Sequence, residues 1–198
     1  MEDFRSTITK EEVAALPQEK YSGKITIIST VQELNKALTS LAKESFIGFD
    51  TETRPSFSQG VLHQVALMQL ATEKHCFLLR LNKIGLPDAL VKFIGNPDIK
   101  KIGLSLKDDF HVLRRRYDFK PAGFIDLQNI MQNYGIEELS LQKSYAIIFN
   151  KKISKSQRLT NWEAEKLTRL QQEYAALDAW ACLNIYKELR KIPTIFVI

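Results

Sequence analysis

Two apolar runs separated by a short polar break constrain this chain more than any other feature. Residues 64–70 (QVALMQL) and 75–80 (HCFLLR) are short and rich in side chains that fill a pleated surface, so both read as strands. The break between them, ATEK, has room only for a tight connection, and the two strands must therefore pair antiparallel as a hairpin. Elsewhere strands and helices alternate. Residues 24–29 (KITIIS) read as a strand. Residues 31–43 read as an amphipathic helix, because Val31, Leu34, Leu38 and Leu41 recur at spacings of three and four. Residues 46–50 (FIGFD) form an apolar run typical of a strand covered on both faces. A brief helix at 86–94, a turn at 96–98 and a strand at 100–104 follow. Then come a helical stripe of Leu106, Phe110, Leu113 and Tyr117, and a strand at 123–126. Helices near 127–134 and 141–149, a polar loop at 150–160, and a long helix from Thr168 to about Arg190 complete the order. Thr168 and Gln171 supply the capping box of that last helix. A hairpin set among alternating helices and strands makes an α/β fold, a mixed sheet covered by helices.

Length and composition narrow the class. The chain has 198 residues, the size of one domain. Residues 1–22 read as an N-terminal arm, with Thr9 and Glu12 capping a short helix that Pro17 ends, and the core spans roughly 24–190. A formal charge of +5 permits a polyanionic partner without requiring one. Cys76 and Cys182 are the two cysteines and there is no CxxC, which excludes a disulfide framework and a zinc finger. The N-terminus lacks the apolar core of a secretion signal, and no run is long enough to span a bilayer. The expectation is a cytoplasmic protein that does not engage membranes.

Three segments concentrate carboxylates. In Asp50-Thr51-Glu52, at the end of the FIGFD strand, alternation points both acids to one face. Two carboxylates held together repel, and a hard divalent cation relieves that repulsion. A solvated strand end is the other reading of this triplet alone. In Ser105-Leu106-Lys107-Asp108-Asp109, Ser105 and Asp108 fit a capping box, which accounts for Asp108. Asp109 borders the core residue Phe110, where a carboxylate needs a partner. In the last helix, Tyr174 and Asp178 are one turn apart on a face shared with Leu170, Leu177 and Ala181. An aspartate there needs a metal or a hydrogen bond, and the tyrosine hydroxyl is one candidate donor. The small pair Ala175-Ala176 lets this helix approach the sheet closely. Four clustered carboxylates on a basic chain fit two divalent cations, and all-oxygen ligands favour Mg²⁺ or Mn²⁺ over zinc.

In this order, the three segments resemble the motifs of the DEDD 3′–5′ exonucleases, and the Tyr174–Asp178 spacing resembles the tyrosine-bearing branch, DEDDy. Within it the sequence is similar to ribonuclease D and the Werner-syndrome exonuclease domain. FDTET, HQVALMQLAT, IGLSLKDDFHVL and RLTNW followed by LTRLQQEYAALDAW carry the likeness, over roughly residues 24–190. The resemblance implies a ribonuclease H-like mixed sheet of five or six strands flanked by helices, in a single exonuclease domain over residues 1–198. No segment matches the helical domains that follow the nuclease domain in ribonuclease D, so substrate affinity is expected from this domain or another protein. It further implies two divalent cations, Mg²⁺ or Mn²⁺, held by Asp50, Glu52, Asp109 and Asp178. Tyr174 would orient the attacking water, and nucleoside 5′-monophosphates would leave from single-stranded or frayed 3′ ends of DNA or RNA. Substrate contacts are expected at Thr51, Phe57, Gln69, Arg158, Asn161 and Trp162.

Three other features read more plainly. Lys151, Lys152, Lys155 and Arg158 either track a phosphate backbone or form a solvated loop. Arg114, Arg115 and Arg116 cannot share one helix face. His63, His75 and His111 lack metal-ligand spacing. Two rival functions remain: a catalytically silent nucleic-acid-binding module on the same fold, and a nuclease confined to very short oligonucleotides.

Overall fold

The computed structural model describes residues 4–58 and 60–192. Along the chain lie α1 (Lys10–Ala15), β1 (Lys24–Ile28), α2 (Val31–Leu41), β2 (Phe46–Thr53), β3 (Val65–Ala71), β4 (His75–Leu79), α3 (Leu81–Ile84), α4 (Asp88–Ile94), β5 (Lys100–Gly103), α5 (Leu106–Arg114), β6 (Phe124–Asp126), α6 (Leu127–Met131), α7 (Leu141–Phe149) and α8 (Arg169–Leu189). The strands form one six-stranded sheet in the order β1-β4-β3-β2-β5-β6. β3 runs antiparallel to both of its neighbours, and every other pairing is parallel. The short break after β3 is the hairpin its length demands, and all seven β3 residues are buried.

Helices cover both faces. On one, Leu34, Leu38 and Leu41 of α2 join Phe93 of α4 and Leu113 of α5 over Phe49 and Leu70. On the other, α8 crosses the sheet. A Cβ at Gly48 would lie 1.8 Å from the Ala179 carbonyl oxygen, so helix and strand backbones touch there, and Ala175, Ala176 and Ala179 are all fully buried. Small residues on both sides set this approach, and the approach brings a helix side chain within reach of β2.

Four local expectations are corrected. β2 does not stop at Asp50; pairing with β3 continues to Thr53, so the Asp-Thr-Glu triplet is strand rather than strand end. The helix expected at 86–94 begins at Asp88 rather than Leu86, and a separate turn, α3, precedes it, with Gly85 at φ +65° between them. Ser105 precedes α5, but its hydroxyl caps nothing in that helix. Its backbone adopts φ +60°, and the Asp126 carboxylate accepts from the Ser105 and Leu106 amides at 3.2 and 2.8 Å. The same carboxylate caps α6 through Gln128 N at 3.0 Å. Leu170 is exposed, because α8 has not yet reached the sheet at its first turn.

Candidate active site

The site grows from the alternation of β2. Asp50 and Glu52 point to the face that α8 covers, while Thr51 points away. α8 contributes Asp178 and, one turn earlier, Tyr174, both buried. Carboxylate oxygens of Asp50, Glu52 and Asp178 lie within 4.8 Å of one another. The Tyr174 hydroxyl is close enough to Asp178 to favour its charged form. Among the described residues none of the three acids forms an ion pair. They line a cleft of about 280 Å³ with Thr51, Lys155, Arg158, Tyr174 and Cys182.

Asp109 stands apart from this trio. It sits in the first turn of α5, half-buried, and accepts a hydrogen bond from the Thr51 hydroxyl. Its charge still repels Asp50 and Glu52. Thr51 is thus the link between the β2 acids and the α5 acid.

Burial and crowding shape the ionisation. Desolvation, then repulsion from Asp178, pushes Asp50 up to about 8. Desolvation and three neighbouring carboxylates push Glu52 up to about 10, against the pull of Arg158. Asp178 is pushed up to about 7 by burial, opposed by the Tyr174 hydroxyl and by Lys155. Asp109 is pushed up by burial and by Asp50. Burial and these acids drive the Tyr174 hydroxyl far above its usual range, so it remains protonated. Like charges held this close and largely buried are costly unless a cation joins them. An all-carboxylate donor set suits a hard divalent cation, so the residues present fit Mg²⁺ or Mn²⁺.

The other expected residues divide. Arg158 lines the cleft. Phe57, 83% exposed, and Asn161 line a neighbouring cavity of about 470 Å³. Gln69 and Trp162 are fully buried and reach neither cavity. Gln69 lies opposite Asp50 in the β2–β3 register, with neither end of its amide hydrogen-bonded. Trp162 packs its ring 6.0 Å from that of Tyr174. Sequence reasoning missed Asp126, which holds the α5 start that carries Asp109; its signal was an aspartate at a strand end directly before a helix. It also missed Ser140 and Gln142, which line the cleft from α7 and its cap and whose chemistry gave no signal.

The family model described as 3′–5′ exonuclease matches residues 25–193. A 3′–5′ exonuclease of Arabidopsis thaliana is 28% identical over 193 residues, 89% of this chain and 67% of that protein. The bifunctional 3′–5′ exonuclease/ATP-dependent helicase WRN of Mus musculus is 31% identical over 159 residues, 75% of this chain but only 11% of that protein. The crystal structure of the Aedes aegypti Nibbler EXO domain superposes with a TM-score of 0.79 at 23% identity, over 87% of this chain and 91% of that one. The mixed six-stranded sheet flanked by helices is the ribonuclease H-like fold of such exonucleases, and the chain belongs to the 3′–5′ exonuclease family of enzymes.

Proposed function

We propose that the chain hydrolyses the 3′-terminal phosphodiester of single-stranded or frayed DNA or RNA and releases nucleoside 5′-monophosphates. The observation that carries this reading is the convergence of Asp50, Glu52 and Asp178 oxygens within 4.8 Å in an open cleft. Asp50, Glu52 and Asp178 would hold one divalent cation, Mg²⁺ or Mn²⁺, and Asp50 with Asp109 a second. Two such cations, when bound, stabilise the attacking and leaving oxygens and lower the pKa of water.

The chain's own residues do the rest. A water oxygen adds to the terminal phosphorus as the bond to the preceding nucleotide's 3′ oxygen breaks, and that oxygen leaves with a proton. Tyr174 stays protonated beside Asp178, so it orients the water rather than removing its proton. Lys155 and Arg158 line the same cleft as the acids and neutralise phosphate charge. Thr51 fixes the Asp109 carboxylate. Phe57 and Asn161, in the adjoining cavity, contact the terminal base. Gln69 and Trp162 support the site from beneath, through Asp50 and Tyr174.

The test is a degradation time course on 5′-labelled single-stranded DNA and RNA with Mg²⁺, Mn²⁺ or EDTA, beside Asp50→Ala and Asp178→Ala. A descending ladder that requires metal and disappears in both variants supports the reading. Intact label in every lane, from folded protein that still shifts the oligonucleotide in a gel, overturns it in favour of a binding module.

A further inference from the structure

We infer that the groove between α1 and α7 carries the part of the strand lying 5′ of the cleavage point, with Lys10 and Lys143 contacting its phosphates. This rests on the exonuclease reading and adds the path of the substrate to it.

The cleft holds only about 280 Å³, but its wall of Ser140, Gln142, Ile153 and Lys155 is shared with a groove of about 920 Å³. A strand end seated at the acids must leave the cleft somewhere, and this opening is continuous with it. The groove presents Lys10, Lys143, Lys152 and Lys155 against Glu137 and Glu138; with Lys143 paired to Glu138 at 2.8 Å, Lys10, Lys152 and Lys155 still face only Glu137, a surplus of positive charge. Besides the cavity of Phe57 and Asn161, which the proposed function gives to the terminal base, a cavity of about 650 Å³ shares Ser154 and Tyr174 with the cleft and carries Lys20 and Arg169 against Glu19 and Glu173. There Arg169 is already paired with Glu173 at 2.7 Å, so that side offers a polyanion no surplus.

The groove's apolar surface fits as well. Val13 and the exposed Leu139 line it beside the lysines, and a single strand presents both bases and phosphates to such a surface. α1 buries none of its own residues, yet its N-terminus is capped by the box of Thr9 and Glu12. It is also held in place. Glu19 N donates to Lys152 O at 2.8 Å, Lys152 N to Pro17 O at 3.0 Å, and Ile8 N to Glu138 Oε1 at 3.2 Å. A short helix anchored at both flanks and burying nothing serves as a wall rather than as core.

The test compares Lys10→Glu/Lys143→Gln with wild type on a dinucleotide and a single-stranded dodecamer, in Mn²⁺. For the dodecamer, KM should rise about tenfold and the salt dependence of binding should fall by about 0.7 per lost phosphate contact. For the dinucleotide, which does not reach the groove, kcat and KM should stay within about twofold, since the Lys143–Glu138 pair that the variant breaks lies outside the cleft. An equal loss on both substrates, or no loss on either, overturns the groove. Lys10→Glu alone carries the test if the double variant unfolds; Lys10 is exposed, and an acid in a first helical turn suits the dipole. If wild type cleaves neither substrate, the exonuclease reading has failed, and anisotropy of a labelled dodecamer in EDTA decides the groove separately. Weaker binding by the variants supports it; unchanged binding, or displacement by an acidic peptide but not by unlabelled dodecamer, overturns it.

Discussion

Charge is buried in two kinds of place in this protein, and the chain treats them differently. Arg80 is 2% exposed and Lys101 is fully buried, yet each finds its partners within the fold. Arg80 donates to the Ala164 and Glu165 carbonyls and to the Asn82 side chain. Lys101 donates to the Asn96 carbonyl at 2.6 Å and lies 5.0 Å over the Phe124 ring. At the acid trio the arrangement is reversed: like charges are brought together, and Lys155 and Arg158 relieve them only from a distance. A buried charge that serves the fold brings its counterpart from the same chain. On the function proposed above, the trio's counterpart is a cation supplied from outside, and the fold bears the cost until it binds.

Substitutions separate the two kinds. Asp50→Asn should lower exonuclease turnover by about three orders of magnitude, the scale of a lost metal ligand. In EDTA the same variant should melt higher, by about 3 °C for each kcal/mol of repulsion relieved. Loss of activity with no gain in melting temperature breaks the comparison. Tyr174→Phe should lower kcat about a hundredfold with little change in KM, because orienting water matters only as the bond breaks. Arg80→Met should do the opposite of Asp50→Asn. It orphans the Ala164 and Glu165 carbonyls and should cost about 2 kcal/mol of stability, with Mn²⁺ affinity within about twofold of wild type.

pH sharpens the contrast. The trio's pKa values are raised, so the folded metal-free protein holds protons that the unfolded chain releases near pH 4. The trio's contribution to stability is therefore full below about pH 4 and declines as pH rises through about 7, 8 and 10. Lys101 is shifted the other way, down to about 8, so its contribution grows above that pH. Melting in EDTA should thus weaken between about pH 5 and pH 8, and saturating Mn²⁺ should cancel the weakening, since ligand binding to the native state adds about 2.7 kcal/mol at a hundredfold excess over Kd. A pH profile that Mn²⁺ leaves unchanged would count against the trio as the source. The smallest effect is predicted for Thr51→Val, which frees Asp109 without touching the trio and should weaken only the second of two Mn²⁺ binding steps.

What the sequence made legible was local. The Thr9–Glu12 and Thr168–Gln171 boxes, the β3–β4 hairpin and the alanine-lined approach of α8 follow from chemistry a few residues long. Asp50, Glu52 and Asp178 could be nominated because acids that interrupt apolar patterns have few structural uses. The distant terms were hidden. Ser105 looked like a cap, but the group that caps α5 is Asp126, twenty-one residues later. The polar triplet disguised the continuation of β2, since side chains aimed at a functional cleft break the apolar pattern that marks a strand. Nothing local placed Asp109 on Thr51 rather than among the trio, because that depends on how α5 leaves β5.

The central claim, that the Asp50–Glu52–Asp178 trio is a cation site, is tested most directly by calorimetric titration of Mn²⁺ into the metal-free protein near pH 7, in two buffers of different ionisation heat, beside Asp50→Asn and Asp178→Asn. Carboxylates that hold protons at that pH must release them on binding, so the predicted result is saturable binding with proton release, lost in both variants. Binding that survives both substitutions, or no saturable binding to the wild type, would contradict it.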